Sequence, residues 1–140
     1  MKSSVNVITQ PIQKWETGRS AVSSADSNTD ISTPTNALHL YGGASGIIVS
    51  PVFNGASDSC TVHVIGYPST SNDRYTSWSY DSGGGCVLAE LSFSAGSFNP
   101  ATGDYTDTAQ TVDLYGFRSF EFIVNTLSGT LDYLYYAGIK

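Results

Sequence analysis

Seven side chains carry most of the chemical options in this sequence: His39 and His63, Cys60 and Cys86, and Glu16, Glu90 and Glu121. A nucleophilic triad needs a histidine beside a serine or cysteine, with an acid to orient it. His39 and His63 each stand between apolar neighbours, so in a strand each points away from the buried face. No Gly-x-Ser-x-Gly elbow occurs, which removes one common way of presenting a nucleophile. Glycoside hydrolysis needs two carboxylates across a cleft. Glu90 and Glu121 both fall opposite the apolar positions of their segments and read as solvated carboxylates that could be neighbours on an outer surface.

Metal chemistry has no better footing. Cys60 and His63 are three apart, which on a strand sends them to opposite faces, and Cys86 has no second ligand beside it. The oxygen-rich stretch from Asn99 to Asp107 departs from the ligand offsets of an EF-hand. Asp81-Ser82-Gly83-Gly84-Gly85-Cys86 is glycine-rich, but it lacks the Lys-Ser/Thr of a phosphate loop and leads into a strand. The expectation is a protein with no catalytic residue, no metal and no cofactor. Both cysteines lie beside or within apolar runs. They read as two buried free thiols, with one cross-strand bridge as the alternative.

The elements that carry these residues are strands. Leu38 and Leu40 alternate, as do Cys60, Val62 and Val64, and Val87, Ala89, Leu91 and Phe93. Turn residues separate the runs: Gly42 to Gly46, Asn54 to Asp58, Pro68 to Asp73 and Asp81 to Gly85. Arg74 to Tyr80 is a further candidate strand. Ile47 to Phe53 contains Pro51, which predicts an edge strand or a bulge. Ala95 to Gln110 reads mostly as loop. About eight strands without helical periodicity predict an all-β antiparallel sandwich, jelly-roll-like, whose core lies between two sheets. The sandwich is expected over 37–140.

Residues 1–36 read differently. Ser20 to Asn36 is a polar tract with little apolar surface to offset the entropy of ordering. The expectation is an extended arm whose apolar residues Val5, Val7, Ile8, Ile12 and Trp15 bind a partner. Trp78 and Tyr80 share one face of their run and form a second candidate site, for glycans, as would befit a carbohydrate-binding module or fibre tip. Tyr133, Tyr135 and Tyr136 either fill the core or add to such a surface.

Charge narrows the partners. Only 13% of residues are charged and the formal net charge is −6, with the basic residues scattered. Nucleic acids and anionic membranes usually demand clustered Lys and Arg, so neither is expected as a partner. Met1-Lys2 is followed by Ser-Ser-Val-Asn and not by an apolar run, so no secretory segment is expected, and no run approaches the ~18 apolar residues of a membrane helix.

The clearest stretch is Thr111–Lys140. Phe120, Phe122 and Val124 recur every second residue, Leu127-Ser128-Gly129-Thr130 breaks the run, and Leu131 to Tyr136 starts another. This predicts an antiparallel hairpin with one buried face. Val112-Asp113-Leu114-Tyr115-Gly116-Phe117, the strand that follows, the Ser128-Gly129-Thr130 turn and the last strand together resemble the end of small β-sandwich structural proteins of tailed bacteriophage particles. The resemblance implies a non-enzymatic virion component, such as a capsid decoration, head-fibre or tail protein. Such a protein would be made in the host cytoplasm, bind other virion subunits and form a homo-oligomer.

Overall fold

A computed structural model describes residues 11–27, 30–32, 34–40, 43–67 and 84–140. These residues form antiparallel strands and no helix. In chain order the strands are β1 (Glu16–Val22), β2 (Leu38–His39), β3 (Gly46–Phe53), β4 (Ser59–Tyr67), β5 (Cys86–Ser94), β6 (Ser97–Asn99), β7 (Asp104–Thr106), β8 (Gln110–Asp113), β9 (Ser119–Ser128) and β10 (Leu131–Ile139). One sheet runs β1-β10-β3-β7-β6, with β8 also on β3, and the other runs β2-β9-β4-β5. Without the β6–β7 hairpin, the eight remaining strands divide as β1-β10-β3-β8 and β2-β9-β4-β5. This is the strand order of a jelly roll.

The core lies between the sheets. Ile47, Val49 and Phe53 of β3 and Leu131, Leu134 and Tyr136 of β10 meet Val62 and Val64 of β4 and Phe120, Phe122 and Val124 of β9. Tyr136 joins the sheets, with its ring 5.3 Å from Phe120 and 5.9 Å from Phe122.

Four expectations are corrected. First, β9 and β10 are not a hairpin: they lie in opposite sheets and meet through their side chains. Alternation identifies a half-buried strand but is silent on its ladder partner, so a short Ser-Gly connection fits an arch between sheets equally well. Second, the polar N-terminal tract is no free arm over its whole length. Residues 16–22 form β1, laddered along β10 from Glu16↔Tyr136 to Val22↔Leu131, because backbone pairing and the anchor Val22 supply what its sparse apolar content does not. Third, residues 95–110 are mostly outside strands, as read, but they also contain the β6–β7 hairpin, in which Gly103 takes φ +78° and its N–H reaches Asn99 O at 2.8 Å. Fourth, Pro51 lies neither at an edge nor in a bulge. On one side β3 pairs with β8 through Val49 and with β7 from Val52, so Pro51 falls in the gap where no N–H is required. The bulge is in the partner β10, at Asp132.

A second bulge alters β5. Leu88 is extra between the pairs Val64↔Ala89 and Ile65↔Val87. Leu88 therefore packs against the core, while Val87, expected inside, stands 49% exposed.

Candidate functional site

The polar side chains that converge do so along a seam between the sheets. Arg19 on β1 reaches across to β9. Its guanidinium donates to both Asp26 oxygens, at 2.7 and 2.9 Å, and to Phe122 O at 3.0 Å. Asp26 also accepts from Val124 N at 2.8 Å, and its own N–H donates to Val124 O at 2.9 Å. The Arg19 partnership is the main cause that holds the Asp26 carboxyl below the usual range, and Asp26 in turn raises Arg19. Gly18 permits the approach, since a Cβ there would overlap the Phe122 ring.

Glu121 lies on the same seam. It is only 7% exposed, which corrects the solvated reading. Its oxygens accept from Tyr67 Oη at 2.8 Å, Thr35 N at 3.2 Å and Asn36 N at 3.3 Å. Residues 30–32 and 34–36 lie over this part of the outer face, where Ile31 joins a small cluster of Ile65, Tyr67 and Ile123. Arg19, Asp26, Asp30 and Glu121 line a cleft of about 250 Å³. Glu90 is elsewhere, bound to the His63 ring at 2.8 Å, so Glu90 and Glu121 do not form a pair across a cleft. His39 is exposed and its Nδ1 meets Ser119 Oγ at 3.1 Å.

One end of the sandwich is tied by Asp58. Its Oδ2 accepts from Gly55 N at 2.8 Å and Thr130 N at 3.1 Å, and its carbonyl from Ala95 N at 2.8 Å. One residue thus fastens three crossovers: β3 to β4, β9 to β10, and β5 to β6. Asp132 stands nearby, and burial and the neighbouring Asp104 carboxylate push its carboxyl up. Among the described residues, no three of His, Cys, Asp and Glu are grouped so as to hold a metal ion.

Both cysteines are free. Cys60 is buried, but Cys86 is exposed, which corrects the expectation of two buried thiols. They sit at opposite ends of the β4–β5 ladder, opposite Phe93 and Gly66. Six residues at ~3.3 Å each leave about 20 Å between those positions, far beyond disulfide reach.

Of the expected contact residues, Val5, Val7, Ile8, Trp78 and Tyr80 lie outside the described residues. Ile12 and Trp15 are 50% and 44% exposed. Ile12 N is tied to Gly138 O at 2.9 Å. Their neighbours Gln13, Lys14 and Glu16 line a second cleft, of about 450 Å³, with His39 and Tyr136. The tyrosines divide: Tyr136 fills the core, while Tyr133 and Tyr135 stand on the outer face of the six-stranded sheet, their rings stacked at 5.2 Å and 10°. Stacked rings cover one another's faces, so this pair is not a coplanar platform for a sugar.

Comparisons of the chain with protein-family profiles, curated proteins and solved structures found no match. Sequence reasoning missed Arg19, Asp26 and Asp58. Each is one polar residue in a polar stretch, and each has a partner that lies between 72 and 103 residues away. Only the phase of Glu121, outward on an otherwise apolar strand, could have drawn attention to a covered carboxylate.

Proposed function

We propose that this is a non-enzymatic structural protein of a bacteriophage particle that binds neighbouring virion subunits, as a capsid decoration or another head or tail component. One observation carries the reading. Asp26, Glu121 and the Arg19 guanidinium, which converge at the seam, are consumed in closing it, while Ile12 and Trp15 are left in solvent at a corner beside a cleft. Exposed apolar side chains rimmed by polar residues are what a partner surface requires. Jelly rolls recur in viral coats and in lectins, which agrees with the proposal by fold-level analogy alone.

Incorporation is the test. Phage particles purified from cells producing the full chain should carry it. Replacing Ile12 and Trp15 together by serine should lower its occupancy about tenfold or more, since exposed apolar anchors contribute binding and little stability. A chain absent from particles, or a double variant at wild-type occupancy, removes the reading. The alternative, a carbohydrate-binding module or fibre tip using Trp78 and Tyr80, is tested by a glycan array with wild type and Trp78→Ala.

A further inference from the structure

The outer face of the six-stranded sheet is a surface to which neither the closing of the sandwich nor the corner at Trp15 assigns a purpose. Alternation along the ladders places Tyr133 and Tyr135 of β10, Ile48, Ser50 and Val52 of β3 and Thr106 of β7 on it. Not one of these is charged, in a chain of net charge −6. Tyr133 is 42% exposed.

Charges gather at the two ends of the sandwich that bound this face, and they differ in sign. At the crossover end are Asp58, Asp104, Asp107 and Asp132, with no Lys or Arg among the described residues there. At the opposite end, where β10 finishes and β3 begins, are Lys14, Arg118 and Lys140 with Glu16 and Asp113. Four carboxylates thus face three cations and two carboxylates, a formal −4 against +1.

We propose that this face is the interface of a two-fold homodimer, stacked with strands antiparallel so that the acidic end of each copy meets the basic end of the other. The proposal rests on the subunit-binding reading above and specifies one partner as a second copy of the chain. Two identical faces can stack about an axis along the strands or an axis across them. The first sets four carboxylates on four carboxylates. The second turns one copy end for end and pairs opposite charges, which steers association and excludes the wrong register. The uncharged centre then stacks without desolvating any ion. Five strand positions about 4.8 Å apart and about seven residues long give a face near 20 by 23 Å. That is small for a permanent pair, so association in the micromolar range is expected.

The axis crosses the strands at the level of Ser50 and Tyr135, which pair in register, so Ser50 of one copy faces its own counterpart. Sedimentation velocity on the full chain from about 5 to about 200 μM, a range suited to weak pairs, should show a monomer–dimer equilibrium. Ser50→Asp and Ser50→Lys should each weaken it about tenfold or more by like-charge apposition, and their equimolar mixture should restore it as a heterodimer. Carbodiimide cross-linking of mixed ¹⁴N and ¹⁵N wild-type chains should join Lys14 or Lys140 of one copy to Asp104 or Asp132 of the other. This measurement stands even where a Ser50 variant folds poorly. A monomer at every concentration, a dimer unmoved by both variants, or the lack of such a cross-link overturns the proposal. A monomeric chain that still enters particles would overturn the dimer and leave the subunit-binding reading standing. A dimer that never enters particles would do the reverse.

Discussion

Removing the Asp26 charge isolates the bond that closes the seam. In Asp26→Asn the side chain can still accept from Val124 N, but the two charge-assisted bonds from Arg19 lose their anionic acceptor. Hydrogen bonds to charged groups contribute about 1.5–3 kcal/mol each at most, and partial exposure of both side chains reduces this, so about 2–3 kcal/mol is expected for the pair. In a chain of this size that is roughly 8 °C in Tm, and a sizeable part of a total near 5–15 kcal/mol. Urea denaturation should show a lower midpoint with an unchanged slope. The pH dependence follows from the depressed carboxyl. The stabilisation is present in full above the ordinary carboxylate value and is lost as pH falls through the lower folded value. The gap between wild type and Asp26→Asn should therefore be full at pH 7 and should close as pH falls below the ordinary carboxylate range. A cycle with Arg19→Gln should return most of the cost as coupling. A cost below about 0.5 kcal/mol at pH 7, the level of an ordinary surface change, would refute the reasoning, as would a gap that does not vary with pH.

Three further outcomes follow from the same structure. Gly129 takes φ +87° and a Cβ would collide with the Asp58 carboxylate, so Gly129→Ala should cost about 2–3 kcal/mol by urea denaturation. Glu121→Leu leaves the Tyr67 hydroxyl and the Thr35 and Asn36 N–H groups without their acceptor. It should cost about 3 kcal/mol and speed hydrogen exchange at Thr35 and Asn36. Burial pushes the Cys60 thiol up to about 11, so at pH 8 a thiol reagent should modify exposed Cys86 at once and Cys60 only after unfolding. Equal reaction rates in the native protein would contradict its burial.

Deletion of residues 1–36 distinguishes the expected architecture from the observed one. The sequence suggests a domain that survives the loss. The structure places β1 and the Arg19–Asp26 seam in the deleted part, so the truncated chain should unfold. The polar tract from Ser20 to Asn36 looked unable to order itself, and by itself it lacks the apolar area. Its described residues are held by groups that belong to β9, namely the Val124 N–H and carbonyl at Asp26 and the Glu121 carboxylate at Thr35 and Asn36.

The sequence by itself determined the class of this protein. Period-two apolar spacing, turn residues between the runs and the scarcity of charge specify half-buried strands, and strands without helices must pack sheet on sheet. It also marked Phe120, Phe122 and Val124 as core, since alternation directly reports which face is buried. Tertiary structure alone decided which strands share a ladder. The stretch Thr111–Lys140 reads as a hairpin, yet its two long strands, β9 and β10, lie in different sheets. Side-chain phase is a local property, whereas ladder partnership depends on backbone groups tens of residues away. The same holds for the polar contacts. Asp26, Asp58 and Glu121 are unremarkable in the chain, and their roles arise only where the fold brings backbone N–H groups to them.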